Sequence, residues 1–297
     1  MTTGVLWSTA GVLIHSVAWS SGAIWCVRSA VAAASLWGVR RVSLRGLSRL
    51  EWLSAAALAA TTGLFVLANR LTTPANAILI QYSAPAWVAL LGGRFLGEPA
   101  TRRDWIAIAV VWAGIALFFF DHLSADGVAG NVAAAGAGVT FAVNVMCLRK
   151  LAAPRGPAVH GGAEVQPRDP VRPLVLGNLV GAVLGAPFLV TSGPVPDARG
   201  WLALVALGVV QQTAANLCYA TAIRHATALE AMLMPVIEPI LSPLWVAVAF
   251  GDWPSPWAIA GGALVLGAIV GRAVTAGVGG RPAPAADPPA PSPPCDR

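Results

Sequence analysis

Residues 73–85 read TPANAILIQYSAP, and residues 227–239 read TALEAMLMPVIEP. At an offset of 154, Ala68, Arg70, Thr73, Ala77, Leu79, Pro85, Leu90 and Gly97 fall on Ala222, Arg224, Thr227, Ala231, Leu233, Pro239, Leu244 and Gly251. The same offset carries Glu98 onto Asp252, each an acid just past an apolar run. Both copies lie in stretches apolar enough to cross a bilayer, so the fold has to be one that builds the same membrane unit twice. A repeat in a polytopic membrane chain is the usual build of a secondary transporter, with substrate held between the halves.

Composition agrees. Hydrophobic residues make up 57% of the chain and charged residues 11%, where a soluble domain carries about a quarter charged. Trp52, Trp105, Trp201, Trp253 and Trp257 stand at the starts of apolar runs, where indole rings favour the headgroup region. Cys26, Cys147 and Cys218 lie within apolar runs and Cys295 near the C-terminus; they form no metal-ligand or pairing pattern. The net charge of +6 comes from arginines in short loops, which set orientation and do not point to nucleic acid.

Apolar runs predict helices at about 4–20, 22–39, 52–71, 74–96, 104–120, 128–148, 174–192, 201–222, 227–250 and 255–275. Thr73 and Pro74 make a good start for the fourth, a capping hydroxyl followed by a proline whose missing N–H costs nothing there. With the N-terminus inside, 16 Lys and Arg residues fall in inside segments, and only Arg70 and Arg199 fall outside. This predicts both termini in the cytoplasm. Five spans per repeat is an odd number, so the second copy enters the membrane inverted. The expected fold is an all-α membrane protein of ten transmembrane helices, arranged as two inverted five-helix repeats. The first repeat covers 1–122 and the second 123–275, with a cytoplasmic linker at 153–173; residues 276–297 form a Pro- and Ala-rich tail expected to be disordered.

With the segments WSTAGVLI (7–14), FVLANRLTTPANAILIQYSAP (65–85), LGEP (96–99), YATAIRHATALEAMLMPVIEPILSPLW (219–245) and GDWPSPWAIAGGALVLGA (251–268), the chain resembles EamA-type transporters of the drug/metabolite transporter superfamily. The resemblance runs to about residue 275. It implies ten helices, a central cavity lined by the first four helices of each repeat, and a fifth helix in each as packing support. It also implies efflux of metabolites or amino acids driven by an ion gradient. Two departures stand out. Asp252 occupies a place where the family more often has Glu, and only six residues precede Trp7, where the family's first helix begins well upstream. The first run, Gly4 to about Ser20, carries His15 and no preceding Lys or Arg. An upstream extension on the order of 8–15 residues is therefore expected.

Glu238 is the sharpest functional candidate. It lies near the middle of the ninth run beside Pro239, where a carboxylate costs roughly 2.5–3.5 kcal/mol to insert. A cavity explains it better than lipid, and a group that exchanges a proton there suits coupling; the alternative is a structural acid that hydrogen-bonds a broken helix. Glu230, eight residues earlier, either approaches the same face or complements the positive end of its helix; Asn76 is its repeat mate. Pro85 and Pro239 each remove an i→i−4 bond from corresponding helices, a pairing that points to a midplane site, although proline is common in membrane helices generally. Gln212, Asn216 and Tyr219 form one polar stripe, Asn144 with Thr140 a second, and Ser8 with His15 a third; such stripes line cavities or bond across helices. Gln81 joins the cavity candidates. Arg28, in the outer third of the second run, either meets an anionic substrate or snorkels to the surface. Glu98 and Asp252 read as caps and charge partners, with Arg94, Arg102 and Arg103 beside the first.

No G-x-x-x-x-G-K-[ST] segment occurs, so ATP is not expected to drive the protein, and neither cofactor nor metal is expected. The expected partners are a small-molecule substrate and the lipid bilayer, with no nucleic acid, in a monomer or homodimer of the inner or plasma membrane. The alternatives are a membrane-embedded enzyme or a non-transporting sensor. H-E-x-x-H is absent and the four His residues are scattered, which argues against the enzyme.

Overall fold

The computed structural model describes residues 2–72, 74–118, 120, 127–153, 168–250 and 255–278, and every regular element among them is helical. In chain order these are α1 (Thr2–Ser8), α2 (Ala10–His15), α3 (Ser21–Arg40), α4 (Arg49–Leu71), α5 (Pro74–Gln81), α6 (Ala84–Leu96), α7 (Arg102–Phe118), α8 (Val128–Ala152), α9 (Val171–Gly185), α10 (Pro187–Thr191) and α11 (Ala198–Ala206). A π-helical turn (Leu207–Ala214) continues α11 into α12 (Ala215–Ala222). A 3-10 turn (Met234–Ile237) joins α13 (Ala228–Leu233) to α14 (Glu238–Phe250), and α15 (Pro256–Val278) follows.

All ten apolar runs are helical. Five of them, Ser21–Arg40, Arg49–Leu71, Val128–Ala152, Val171–Thr191 and Ala198–Ala222, are long and apolar enough to cross a membrane. The first, fourth and ninth runs are broken into shorter pieces. Helix starts follow the sequence. Ser20 accepts from the Ala23 amide, Asp197 accepts from Gly200, and Ser48 with Glu51 and Thr227 with Glu230 form capping boxes. Pro74 opens α5 as expected; Thr73 lies outside the described residues.

The offset of 154 reappears in the element boundaries. It carries the starts of α5, α6 and α7 at Pro74, Ala84 and Arg102 onto Ala228, Glu238 and Pro256, the starts of α13, α14 and α15. Packing is exchanged in the same way. Helix α3 packs on its mate α9, and α7 on its mate α15. The contact of α4 with α9 is matched by that of α3 with the π turn, and the contact of α8 with α5 and α6 by that of α1 with the 3-10 turn and α14. Exchanged contacts of this kind are what two-fold-related units make.

Charged side chains collect at one end of the bundle. Glu51, fully buried, takes Arg168 at 2.5 Å and Arg172 at 2.9 Å. Asp169 pairs with Arg40 at 3.0 Å and Arg224 at 3.4 Å. Glu98 pairs with Arg149 at 2.8 Å and accepts from the Ala228 amide in the first turn of α13, so its partner is Arg149 and not the neighbouring Arg94, Arg102 or Arg103. Asp252 lies outside the described residues. The linker expected at 153–173 is shorter than predicted: α9 begins at Val171, and Arg168 and Arg172 are tied to Glu51. Its residues 154–167 lie outside the described residues, as does the tail from 279; residues 276–278 belong to α15.

Candidate functional site

The two broken helices meet. In the first repeat the chain leaves helix at Tyr82–Ser83 and resumes at Ala84, with Pro85 in the first turn of α6. In the second it tightens to 3-10 over Met234–Ile237 and resumes at Glu238, with Pro239 in the first turn of α14. Both prolines therefore sit where a missing N–H is harmless within the new helix; the interruption lies just before each of them. Pro239 has no N–H for the carbonyl four residues back, that of Pro235. Tyr82 fills the gap. Its hydroxyl lies 3.1 Å from Pro235 O and 3.2 Å from Glu238 Oε2. In the first repeat the Ala86 amide bonds Ser83 O and leaves the Tyr82 carbonyl open, and Trp112 Nε1 donates to it at 2.8 Å.

The first helix of each repeat packs on the break of the other, through glycine. A Cβ on Gly4 would stand 2.7 Å from Ile237 Cγ2 and 3.0 Å from Pro235 O. A Cβ on Gly138 would stand 2.6 Å from Ser83 Oγ and 2.9 Å from Gln81 O. These approaches leave no room for a methyl group.

Around this junction lies a partly open cavity. Its polar lining is Arg28, Thr61, Thr62, Gln81, Tyr82, Asn144, Gln211, Gln212, Asn216, Tyr219 and Glu238, and its apolar lining includes Trp7, Leu58, Phe65, Phe141, Leu174 and Met232. Among the described residues neither α7 nor α15 contributes to it; they pack on each other. Glu238 is half-buried, with Tyr82 its hydrogen-bond partner. Asn144 is buried and accepts from Ser54 at 2.8 Å. Trp7 lies against Tyr219 and Phe141, with ring centroids 5.6 Å and 5.8 Å apart.

Several sequence candidates thus converge: Arg28, Gln81, Pro85, Asn144, Gln212, Asn216, Tyr219 and Glu238 all line this cavity. Others do not. Ser8 is buried away from it, donating to Val5 O and accepting from Trp245 Nε1 at 2.8 Å. Glu230 spends its carboxylate on the Thr227 amide, 2.8 Å away, at the start of α13. It is a capping residue and does not line the cavity. Thr140 bonds Thr61 across helices at 2.9 Å. Pro239 is buried in α14 and not among the lining residues. The side chains of His15 and Asn76 lie outside the described residues. Arg28 does not snorkel; it is 3% exposed.

Sequence reasoning missed Tyr82, Trp7 and Gln211. Tyr82 was within reach, because Pro239 orphans a carbonyl and a tyrosine three residues before the matching Pro85 is a ready donor. Gln211 was not. It enters beside Gln212 because of the π turn, in which Thr213 Oγ1 bonds back to Gly208 O. A uniform α-helical wheel separates consecutive residues by 100°; π turns are local, and frequent at functional sites.

The sequence matches the profile of the EamA-like transporter family over residues 1–120 and again over 128–272. This chain belongs to that family. It is a family of membrane transporters within the drug/metabolite transporter superfamily. No curated protein matches the chain. A solved structure titled only "Crystal structure of protein" superposes with a TM-score of 0.77, covering 93% of this chain and 96% of its own at 21% identity. That likeness concerns the fold alone.

Proposed function

We propose that this chain is a secondary active exporter of small metabolites or amino acids, working by ion-coupled alternating access with substrate held between the repeats. Ten spans cross the inner or plasma membrane as two inverted five-helix units, and both termini are cytoplasmic. Glu238 is the coupling residue. The observation that carries this reading is the junction of the two helix breaks. Tyr82 of one repeat grips the freed Pro235 carbonyl and the Glu238 carboxylate of the other, beside a cavity that both repeats line. Discontinuous helices at a repeat interface are where transporters place substrate and coupling ions. A membrane carboxylate that faces a cavity and holds a single hydroxyl partner gains and loses a proton more readily than one locked in an ion pair. Orientation rests on the arginines: Arg40, Arg149, Arg168, Arg172 and Arg224 gather at one end of the bundle, the end that the basic-residue bias places in the cytoplasm.

An efflux and resistance screen on cells with and without the protein, followed by flux of any hit in proteoliposomes, tests the activity. Gradient-driven flux of at least one metabolite, lost in Glu238→Gln, is expected; flux that ignores every ion gradient contradicts coupling. Orientation is tested separately by single-cysteine labelling. A cysteine placed in the 160s is expected to resist an impermeant reagent added outside intact cells, and labelling there sinks the topology.

A further inference from the structure

Four buried polar atoms without a hydrogen-bond partner line the cavity together: Arg28 Nε, Gln211 Oε1, Gln212 Nε2 and Tyr219 Oη. They come from α3, the π turn and α12, and α3 packs directly against the π turn. Buried Glu51, by contrast, has two arginines paired with it and the Ser48 cap beside it. Arg28 stands out because, among the described residues, it makes no hydrogen bond and no ion pair while being 3% exposed. A guanidinium offers only donors and stays protonated, and leaving one buried and unpaired is costly. The cost is understandable where a ligand supplies the missing acceptor.

We infer that Arg28 is the anion-recognising group of the substrate cavity, and that the substrate is a small organic monocarboxylate. Its carboxylate lies on Arg28 with the donors Gln212 Nε2 and Tyr219 Oη beside it, and its apolar body lies against Trp7, Phe65 and Phe141. This rests on the transporter reading and names the substrate class for that site. Three observations set the class. The planar fork of a guanidinium matches a carboxylate in two parallel bonds. Among the described lining residues Arg28 is the one Lys or Arg and Glu238 the one acid, so a second negative charge on the ligand would find no cation among them and would face a carboxylate. Trp7, Leu58, Phe65, Phe141, Leu174 and Met232 give the cavity an apolar wall, which suits a hydrocarbon body.

The test uses two probes that differ only at the polar group, phenylacetate and phenylacetamide, on the full chain in nanodiscs without any ion gradient. Calorimetric titration is run on the native protein, Arg28→Gln and Arg28→Lys. The native protein is expected to bind the acid about 10- to 100-fold more tightly than the amide, the worth of a charge-assisted pair. Arg28→Gln is expected to lose that preference and Arg28→Lys to keep part of it. The empty Arg28→Gln protein is expected to melt no lower than the native one, because it has shed an unpaired buried charge; a purely structural arginine would give a lower melting temperature. The inference is overturned if the native protein does not distinguish acid from amide, including the case in which neither binds, or if Arg28→Gln retains the preference. Binding is read without transport, so the two readings fail separately. Arg28-dependent binding of phenylacetate with no gradient-driven flux of any substrate would sink the transporter reading and leave the anion site standing.

Discussion

The two helix breaks occupy the same place in their repeats and carry different chemistry. Both have a proline in the first turn after the break, Pro85 and Pro239, and both are approached by a glycine from the first helix of the other repeat, Gly138 and Gly4. At the position where helix resumes, the first repeat has Ala84 and the second Glu238. One residue into the break, the first repeat has Tyr82, and its mate in the second is Val236. Duplication thus supplies the geometry twice, while the acid and its hydroxyl partner are supplied once each, by opposite repeats. The proposed mechanism calls for two mirrored pathways to a single site, and this division fits it.

The comparison breaks most sharply at the acid. Glu238→Gln keeps shape and removes the proton, so gradient-driven transport is expected to fall to background with folding intact. Uphill flux in proteoliposomes at the native rate, with the native pH dependence, would mean that the second break is no more chemical than the first. Moving the acid is the next test. If each break depends on its own surroundings, Glu238→Ala combined with Ala84→Glu stays as inactive as Glu238→Ala alone, because Val236 offers no hydroxyl to an acid at position 84. Recovery of flux in the double variant would make the breaks interchangeable.

Tyr82→Phe sharpens the comparison at smaller amplitude. It strips one hydroxyl from Pro235 O and Glu238, and a loss of about 10- to 100-fold in transport is expected, as for removal of a hydrogen bond to a charged group. An unchanged rate would show that the two breaks merely touch. The smallest effects belong to the glycines. Gly4→Ala and Gly138→Ala each force a methyl group against a break; the overpacking is offset in part by the better helix propensity of alanine, and a net cost of about 1 kcal/mol is expected, with similar shifts in thermal unfolding. A neutral result at one glycine and a loss at the other would show that the breaks are held unequally.

Much of this was legible in the chain. The repeat, the ten helical runs and the cavity candidates from Arg28 to Glu238 follow from spacing, because apolar length and polar stripes are properties a helix cannot hide. The interrupted first, fourth and ninth runs were less legible, since local sequence marks a proline but not the residue at which hydrogen bonding stops. Glu230 could be read as cavity or cap, and the capping box with Thr227 decides for the cap. Glu51 escaped notice because its partners, Arg168 and Arg172, are more than a hundred residues away and sit in a stretch whose composition reads as linker. The π turn that delivers Gln211 depends on packing against α3, which no local pattern encodes.

The account stands or falls on proton movement through Glu238. Proteoliposomes loaded with a pH-sensitive dye, exposed in turn to a panel of metabolites and small organic acids, report that movement whichever compound proves to be the substrate. The account predicts that at least one compound changes the lumenal pH in vesicles carrying the native protein and leaves it unchanged in vesicles carrying Glu238→Gln. The same pH change in both preparations would contradict it.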